Sequence, residues 1–84
     1  MAAAAGETLQ GLERGLAVIQ AFSHEAPAMT LSEVARRTDI SRATARRILL
    51  TLEALGFVRS DGREFALSPH VLSLGWSYLS SLNL

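Results

Sequence analysis

From Leu31 to Val58 the apolar positions recur twice at helical spacing, separated by a short polar corner. Leu31, Val34 and Ala35 share one face of a first segment. Ala45, Ile48, Leu49, Leu52 and Leu55 form one stripe on a second. Thr30, with Glu33 three residues on, predicts a capping box at the start of the first helix. Thr38 ends that helix, and Asp39-Ile40 makes the corner. Aspartate tolerates the left-handed conformation better than most residues, so a helix can end there without glycine. Ser41 is positioned to cap the second helix, and Gly56 to stop it.

Upstream, a helix is expected from Leu9, with Leu9, Leu12, Leu16 and Ile19 lining one face and Val18 and Phe22 widening it. Gly11 and Gly15 lie four apart in this helix and lower its propensity. That loss points to close approach of another helix, within the domain or from a second subunit. Arg14 points away from the Leu12/Leu16/Ile19 face, as a phosphate contact or an exposed side chain. Met1 to Thr8 is expected to be a disordered tail, and Ser23 to Met29, with Pro27, a loop. After Gly56 the period changes. Phe57-Val58-Arg59 and Phe65-Ala66-Leu67 are short β-prone runs around Ser60-Asp61-Gly62-Arg63-Glu64, and Asp-Gly between such runs predicts a hairpin. Ser68-Pro69 starts a last helix, whose stripe of Val71, Leu72, Trp76, Leu79 and Leu82 is too apolar for a lone surface helix. With no glycine, proline or cation to stop it, this helix is expected to continue in a longer parent protein or to pack on a second copy.

The predicted fold class is therefore mainly α with a small β-hairpin: a winged helix-turn-helix, with a three-helix core and a wing, followed by a linker helix. The expected organisation is a tail over 1–8, the winged helix-turn-helix domain over 9–67 and the start of a linker or dimerisation helix over 68–84.

Charge sharpens this picture. The chain has eight basic and eight acidic residues, yet Arg36 to Arg47 holds five arginines and one acid, Asp39. A neutral protein thus carries a local basic patch at the corner and on the exposed side of the second helix, which suits contact with DNA through one surface. Opposite the apolar stripe lie Arg42, Ala43, Arg46, Arg47 and Leu50. Small Ala43 allows the backbone close to a groove. Arginines at such a helix start reach guanine edges bidentately or clamp phosphate. On its own, an arginine-rich amphipathic helix is usually a solvated face. The corner, the two caps and the apolar Ala35, Ile40, Ala45 and Ile48 at the expected crossing convert it into a helix-turn-helix reading.

On that reading helix 42–55 enters the major groove, with Arg42, Ala43, Arg46 and Arg47 facing bases or flanking phosphates. Ser41 and Thr44 fix the helix on the backbone, and Ser32 anchors a phosphate. The wing over 57–67 contacts backbone or minor groove through Arg63. Arg59 also lies near the tip, where it serves to solvate the turn or to contact DNA. Leu50 gains no derived DNA role.

Other classes are disfavoured. There is no cysteine, hence no disulfide framework or thiolate metal site. There is no membrane-length apolar run, and MAAAAGET lacks the basic start and long apolar core of a secretory signal, so a cytoplasmic location is expected. At this length only about 60–65 % of the unfolded surface is buried on folding. His24 and His70 have no neighbouring cluster with catalytic or metal spacing, and there is no glycine-rich phosphate loop, so neither an enzyme nor a cofactor is expected. The competing reading is a winged-helix protein-interaction module whose arginines meet an acidic partner.

Four segments together resemble the N-terminal DNA-binding domain of IclR-family bacterial transcriptional regulators. They are LERGLAVIQAF (Leu12 to Phe22), LSEVARRTDISRATARRILLTLEALGFV (Leu31 to Val58), RSDGREFALSP (Arg59 to Pro69) and VLSLGWSYLSSL (Val71 to Leu82). Asp39 stands where such corners usually have glycine, and Ala45 where a larger aliphatic is common. SRATARR and the segment Gly75 to Leu79 are similar to the branch controlling aromatic-acid catabolism, including the β-ketoadipate pathway. The resemblance implies a homodimer on a palindromic or repeated operator, with dimer contacts through the first and linker helices. Gly15, Leu72, Trp76 and Leu79 are the candidates for those contacts. It also implies repression or activation of a catabolic operon, in response to a small-molecule effector bound by a C-terminal domain outside this sequence.

Overall fold

In the computed structural model, residues 6–83 are described. The chain runs α1 (Gln10–Ala21), β1 (Ala28–Thr30), α2 (Leu31–Thr38), α3 (Arg42–Ala54), β2 (Val58–Ser60), β3 (Glu64–Leu67), a 3-10 turn (Pro69–Val71) and α4 (Leu72–Ser81). The fold is mainly helical with a small sheet, a winged helix-turn-helix followed by a further helix, as the apolar pattern predicts. The expected tail falls mostly on residues 1–5, outside the described residues; 6–8 are turn and bend, exposed.

The local signals at the motif act as expected. The Thr30 hydroxyl accepts from the Glu33 N–H at 3.3 Å, and the Glu33 carboxylate accepts from the Thr30 N–H at 3.0 Å. Asp39 adopts φ 56°, ψ 44° and ends α2. Its N–H and that of Ile40 return to the carbonyls of Arg36 and Ala35, which satisfies the helix end. Gly56, at φ +89°, closes α3.

The core is formed by Val18, Phe22, Ala26, Met29, Val34, Ala35, Ala45, Leu49, Leu52 and Val58, with no buried polar residue among those described. Helices α2 and α3 pack on each other, and each buries a small residue in the core, Ala35 and Ala45, which suits close helix approach. Ile40 and Ile48 pack, half-buried, against this core.

Three expectations are corrected and one is narrowed. The stretch Ser23 to Met29 is not all loop: Ala28–Thr30 is a strand, so the wing is a three-stranded antiparallel sheet in the order β1-β3-β2. Met29 is fully buried opposite Phe65, which gives this short strand its anchor. On α1 the buried side is Val18 and Phe22, flanked by Ile19 and Ala21, while Leu12 is 61 % exposed and Leu16 45 %. This helix is apolar on more than one side, and the choice of inward side is made by α2 and α3. Among the described residues no heavy atom outside the immediate helix lies within 4 Å of a Cβ position at Gly11 or Gly15, so of the two expected neighbours the helix within the domain is excluded and the second subunit is left. Leu55, at the end of the α3 stripe, is exposed.

The last helix begins differently from its sequence signal. Ser68 has the extended backbone of a cap, but its hydroxyl makes no capping bond; it donates to the carbonyl of Gly56. Pro69 opens a 3-10 turn before α4. Ser81 ends α4, and Asn83 at φ 54° supplies the left-handed residue that glycine usually provides. No residue of α4 is buried, and Trp76 is 66 % exposed.

Candidate nucleic-acid interface

The α2–corner–α3 unit fixes where the arginines point. Burial of Ala45, Leu49 and Leu52 holds α3 on its apolar side, which leaves Arg42, Ala43, Arg46 and Arg47 exposed. Leu50 shares that side at 42 % exposure. All eight basic residues of the chain are arginines, so each cation on this surface carries a planar fork suited to phosphate or a guanine edge.

The N-terminus of α3 is built from hydroxyls. Ser41 Oγ accepts from the Thr44 N–H at 3.1 Å and donates to Thr44 Oγ1 at 2.9 Å. The Thr44 hydroxyl then accepts inside the protein, which leaves its own proton free to donate outward. The positive end of the helix dipole adds to this, so an anion is favoured at the start of α3. Ser32, exposed in the first turn of α2, lies at a second helix N-terminus.

Arg14 is half-buried, not simply turned away to solvent. With Gly11, Gly15 and Leu16 it forms one wall of a cleft of about 630 Å³, and Thr44, Arg47, Ile48 and Thr51 form the other. Arg14 of α1 is thereby brought to the same cleft as Thr44 and Arg47 of α3, although thirty residues of sequence separate Arg14 from Thr44. Leu55, Phe57 and Leu74 also border this cleft, and nothing in their local sequence marks them for it.

The wing places Arg63 at its tip. The Asp61 N–H donates to the Glu64 carbonyl at 3.2 Å, and the Asp61 carboxylate accepts from the N–H groups of Arg63 at 2.9 Å and Glu64 at 2.8 Å. These bonds, that to Glu64 foremost, hold the Asp61 carboxyl below the usual carboxylate range. They turn its charge into the loop and leave the Arg63 side chain exposed. Gly62, at φ +95°, meets the turn's need for a positive φ. Arg59 is exposed in the middle of β2, level with Ala66 and Ala28 across the sheet and set back from the tip.

Arg36 and Arg37 are exposed in the last turn of α2, where the carbonyl end of a helix favours cations. That position accounts for them without a ligand. The second cluster of expected contacts, Gly15, Leu72, Trp76 and Leu79, is not gathered into one patch by contacts within the chain. Gly15 faces the α1–α3 cleft, while Leu72, Trp76 and Leu79 are exposed along α4. Among the described residues no group of three or more His, Cys, Asp or Glu is arranged to hold a metal, and no helix is long and apolar enough to cross a membrane.

Comparison with known proteins gives a consistent set of likenesses. The family model described as the IclR helix-turn-helix domain matches residues 11–62. The Pca regulon regulatory protein of Pseudomonas putida is 51 % identical over 73 residues, covering 87 % of this chain and 25 % of that protein. The p-hydroxybenzoate hydroxylase transcriptional activator of Acinetobacter baylyi is 43 % identical over 76 residues, covering 90 % of this chain and 28 % of that protein. A solved structure of a chain assigned as a transcriptional regulator, from Rhodococcus sp. RHA1, superposes with a TM-score of 0.82 at 61 % identity, over 88 % of this chain and 30 % of that one. The chain thus spans about a quarter of the length of the curated relatives it matches.

Proposed function

The chain belongs to the IclR helix-turn-helix family of transcriptional regulators, and on that premise we propose that it reads double-stranded DNA with the exposed side of α3. The observation that carries this reading is the gathering of Arg42, Arg46 and Arg47 on the solvent side of a hydroxyl-capped helix in a chain of zero net charge. In this account α3 lies in the major groove. Arg42, Ala43, Arg46 and Arg47 face base edges or flanking phosphates. Ser41, Thr44 and Ser32 bond to phosphate oxygens. Arg63 of the wing reaches an adjacent minor groove or backbone, and Arg14 adds a phosphate contact beside Thr44.

Residues 9–67 form the DNA-reading domain, and 68–84 begin the linker helix. Two copies bind a palindromic or repeated operator, with contacts through Gly15 of α1 and through Leu72, Trp76 and Leu79 of α4. The exposed apolar face of α4 supports such a contact. The names of the Pseudomonas putida and Acinetobacter baylyi relatives support control of an aromatic-acid catabolic operon. The small-molecule effector binds outside this chain, in the part of the relatives that it does not span.

The test is a fluorescence anisotropy titration against a pool of random duplexes at several salt concentrations, followed by sequencing of the retained duplexes. Binding that weakens steeply with salt and enriches a paired half-site is expected. No binding at low salt, alone and with the remainder of a full-length relative fused after residue 84, overturns the reading in favour of a protein-interaction module.

A further inference from the structure

The direction in which α4 leaves the domain needs a cause. None of its residues is buried, so ordinary core packing does not fix it. Leu74 alone borders the α1–α3 cleft, and it is itself largely exposed. What does hold this end of the chain is concentrated in a few residues before the helix begins. The Ser68 N–H donates to the Phe57 carbonyl at 2.9 Å, and the Ser68 hydroxyl donates to the Gly56 carbonyl. The His70 ring stacks on Phe57 with centroids 4.7 Å apart and planes 17° from parallel. His70 also lies against Gly56, where its Cδ2 would be 3.6 Å from a built Cβ. Pro69 locks φ between the two fastened residues, and the Val71 N–H returns to the Ser68 carbonyl at 3.1 Å.

Gly56 and Phe57 directly follow Leu55, the C-cap residue of α3. Their own N–H groups donate to Glu53 and Leu52 of that helix. A backbone hydrogen bond, a hydroxyl hydrogen bond and a ring stack therefore tie the start of α4 to the end of α3 through two consecutive residues. We propose that Ser68 and His70, acting on Gly56 and Phe57, form a clasp that sets the exit angle of α4 relative to α3. They are positioning residues: they touch no nucleic acid, yet they decide how far apart two DNA-reading helices are held when two copies meet through α4, a consequence that rests on the dimeric DNA-binding reading above.

The hydroxyl and ring parts of the clasp can be removed separately. The backbone bond to Phe57 remains in Ser68→Ala, and both Ser68 bonds remain in His70→Ala. The clasp differs from general stability in one respect: it constrains an angle more than it buries surface. Loss of the ring is expected to widen the range of α4 orientations while the helical content of the domain is kept.

The chain has no cysteine, so Gln20→Cys in α1 and Ser80→Cys in α4 give two unique labelling positions, both exposed. Nitroxides placed there and diluted into unlabelled chain report the α1–α4 distance by pulsed electron resonance, with no DNA present. The unmodified clasp is expected to give one narrow distance distribution. His70→Ala and Ser68→Ala broaden it, and His70→Tyr, which keeps a stacking ring, restores the width. An unchanged distribution in both alanine variants overturns the proposal, as does a failure of His70→Tyr to differ from His70→Ala. Circular dichroism on each variant checks folding; should His70→Ala not fold, the Ser68→Ala distribution decides alone. Because no duplex is used, this outcome is independent of whether the chain binds DNA.

Discussion

Glu33 shows how much one side chain decides in a domain this small. Its carboxylate accepts the Thr30 N–H, and this bond, with the Thr30 hydroxyl second, keeps its pKa below the usual carboxylate range. A carboxyl whose pKa is lower folded than unfolded stabilises the protein above its unfolded value. That contribution vanishes as pH falls through the folded value. Glu33 and Asp61 therefore predict a loss of thermal stability on acidification from about pH 5 downward, the ordinary carboxylate range being about 3.9–4.3. Glu33→Gln keeps the cap geometry but cannot titrate, so its melting temperature should vary less over that window than that of the parent chain. At the DNA surface, Arg46→Ala should leave the melting temperature unchanged and weaken binding to an enriched duplex by about 1–3 kcal/mol, with blurred sequence preference; competition titrations measure both. These residues were legible in the sequence because their partners are local: Thr30 with Glu33, Ser41 with Thr44, Asp61 with its own turn. The setting of Arg14 is not, because its half-burial is decided by α3, which no local spacing reveals.

The elements divide in the same way. The helices α2 and α3 were readable from period and caps, and the hairpin from Asp61-Gly62 between β-prone runs. Strand β1 was not: three residues after a proline carry too little alternation to register, and its pairing partner β3 lies far along the chain. Its weight is in Met29, which is fully buried. Met29→Ala should cost about 2–5 kcal/mol in chemical denaturation, as for a core methionine and not a loop residue. For α1 the spacing predicts the helix but centres its inward face on Leu12 and Leu16, whereas the structure buries the Val18/Phe22 edge of that face, because both sets obey helical spacing. The displaced leucines and the open space over Gly15 make a specific expectation. In Gly15→Ala the added methyl meets nothing within the chain, so the monomer should gain up to about 1 kcal/mol of helix propensity. If a second copy packs closely there, sedimentation equilibrium should show weaker self-association of the same variant. Stabilisation without any change in association would remove Gly15 from the interface.

For the whole molecule, the separation of surfaces matters most. Charge is balanced in sum and uneven in place: arginines cluster from α2 to α3, apolar side chains lie exposed along α4, and the clasp at Gly56–Phe57 joins the two regions. Composition made the first visible and left the third hidden, since a ring stack between Phe57 and His70 has no spacing rule of its own. The central claim is that the arginine side of α3 is the face that meets DNA. Amide chemical shifts recorded while an enriched duplex is added to the labelled chain test it most directly. The account predicts that the largest shifts fall on Ser32, Ser41 to Leu50, Arg14 and the Gly62-Arg63 tip, and that they weaken together as salt is raised. Shifts confined to α4 and the outer leucines of α1, with Arg42 to Arg47 unmoved, would contradict it.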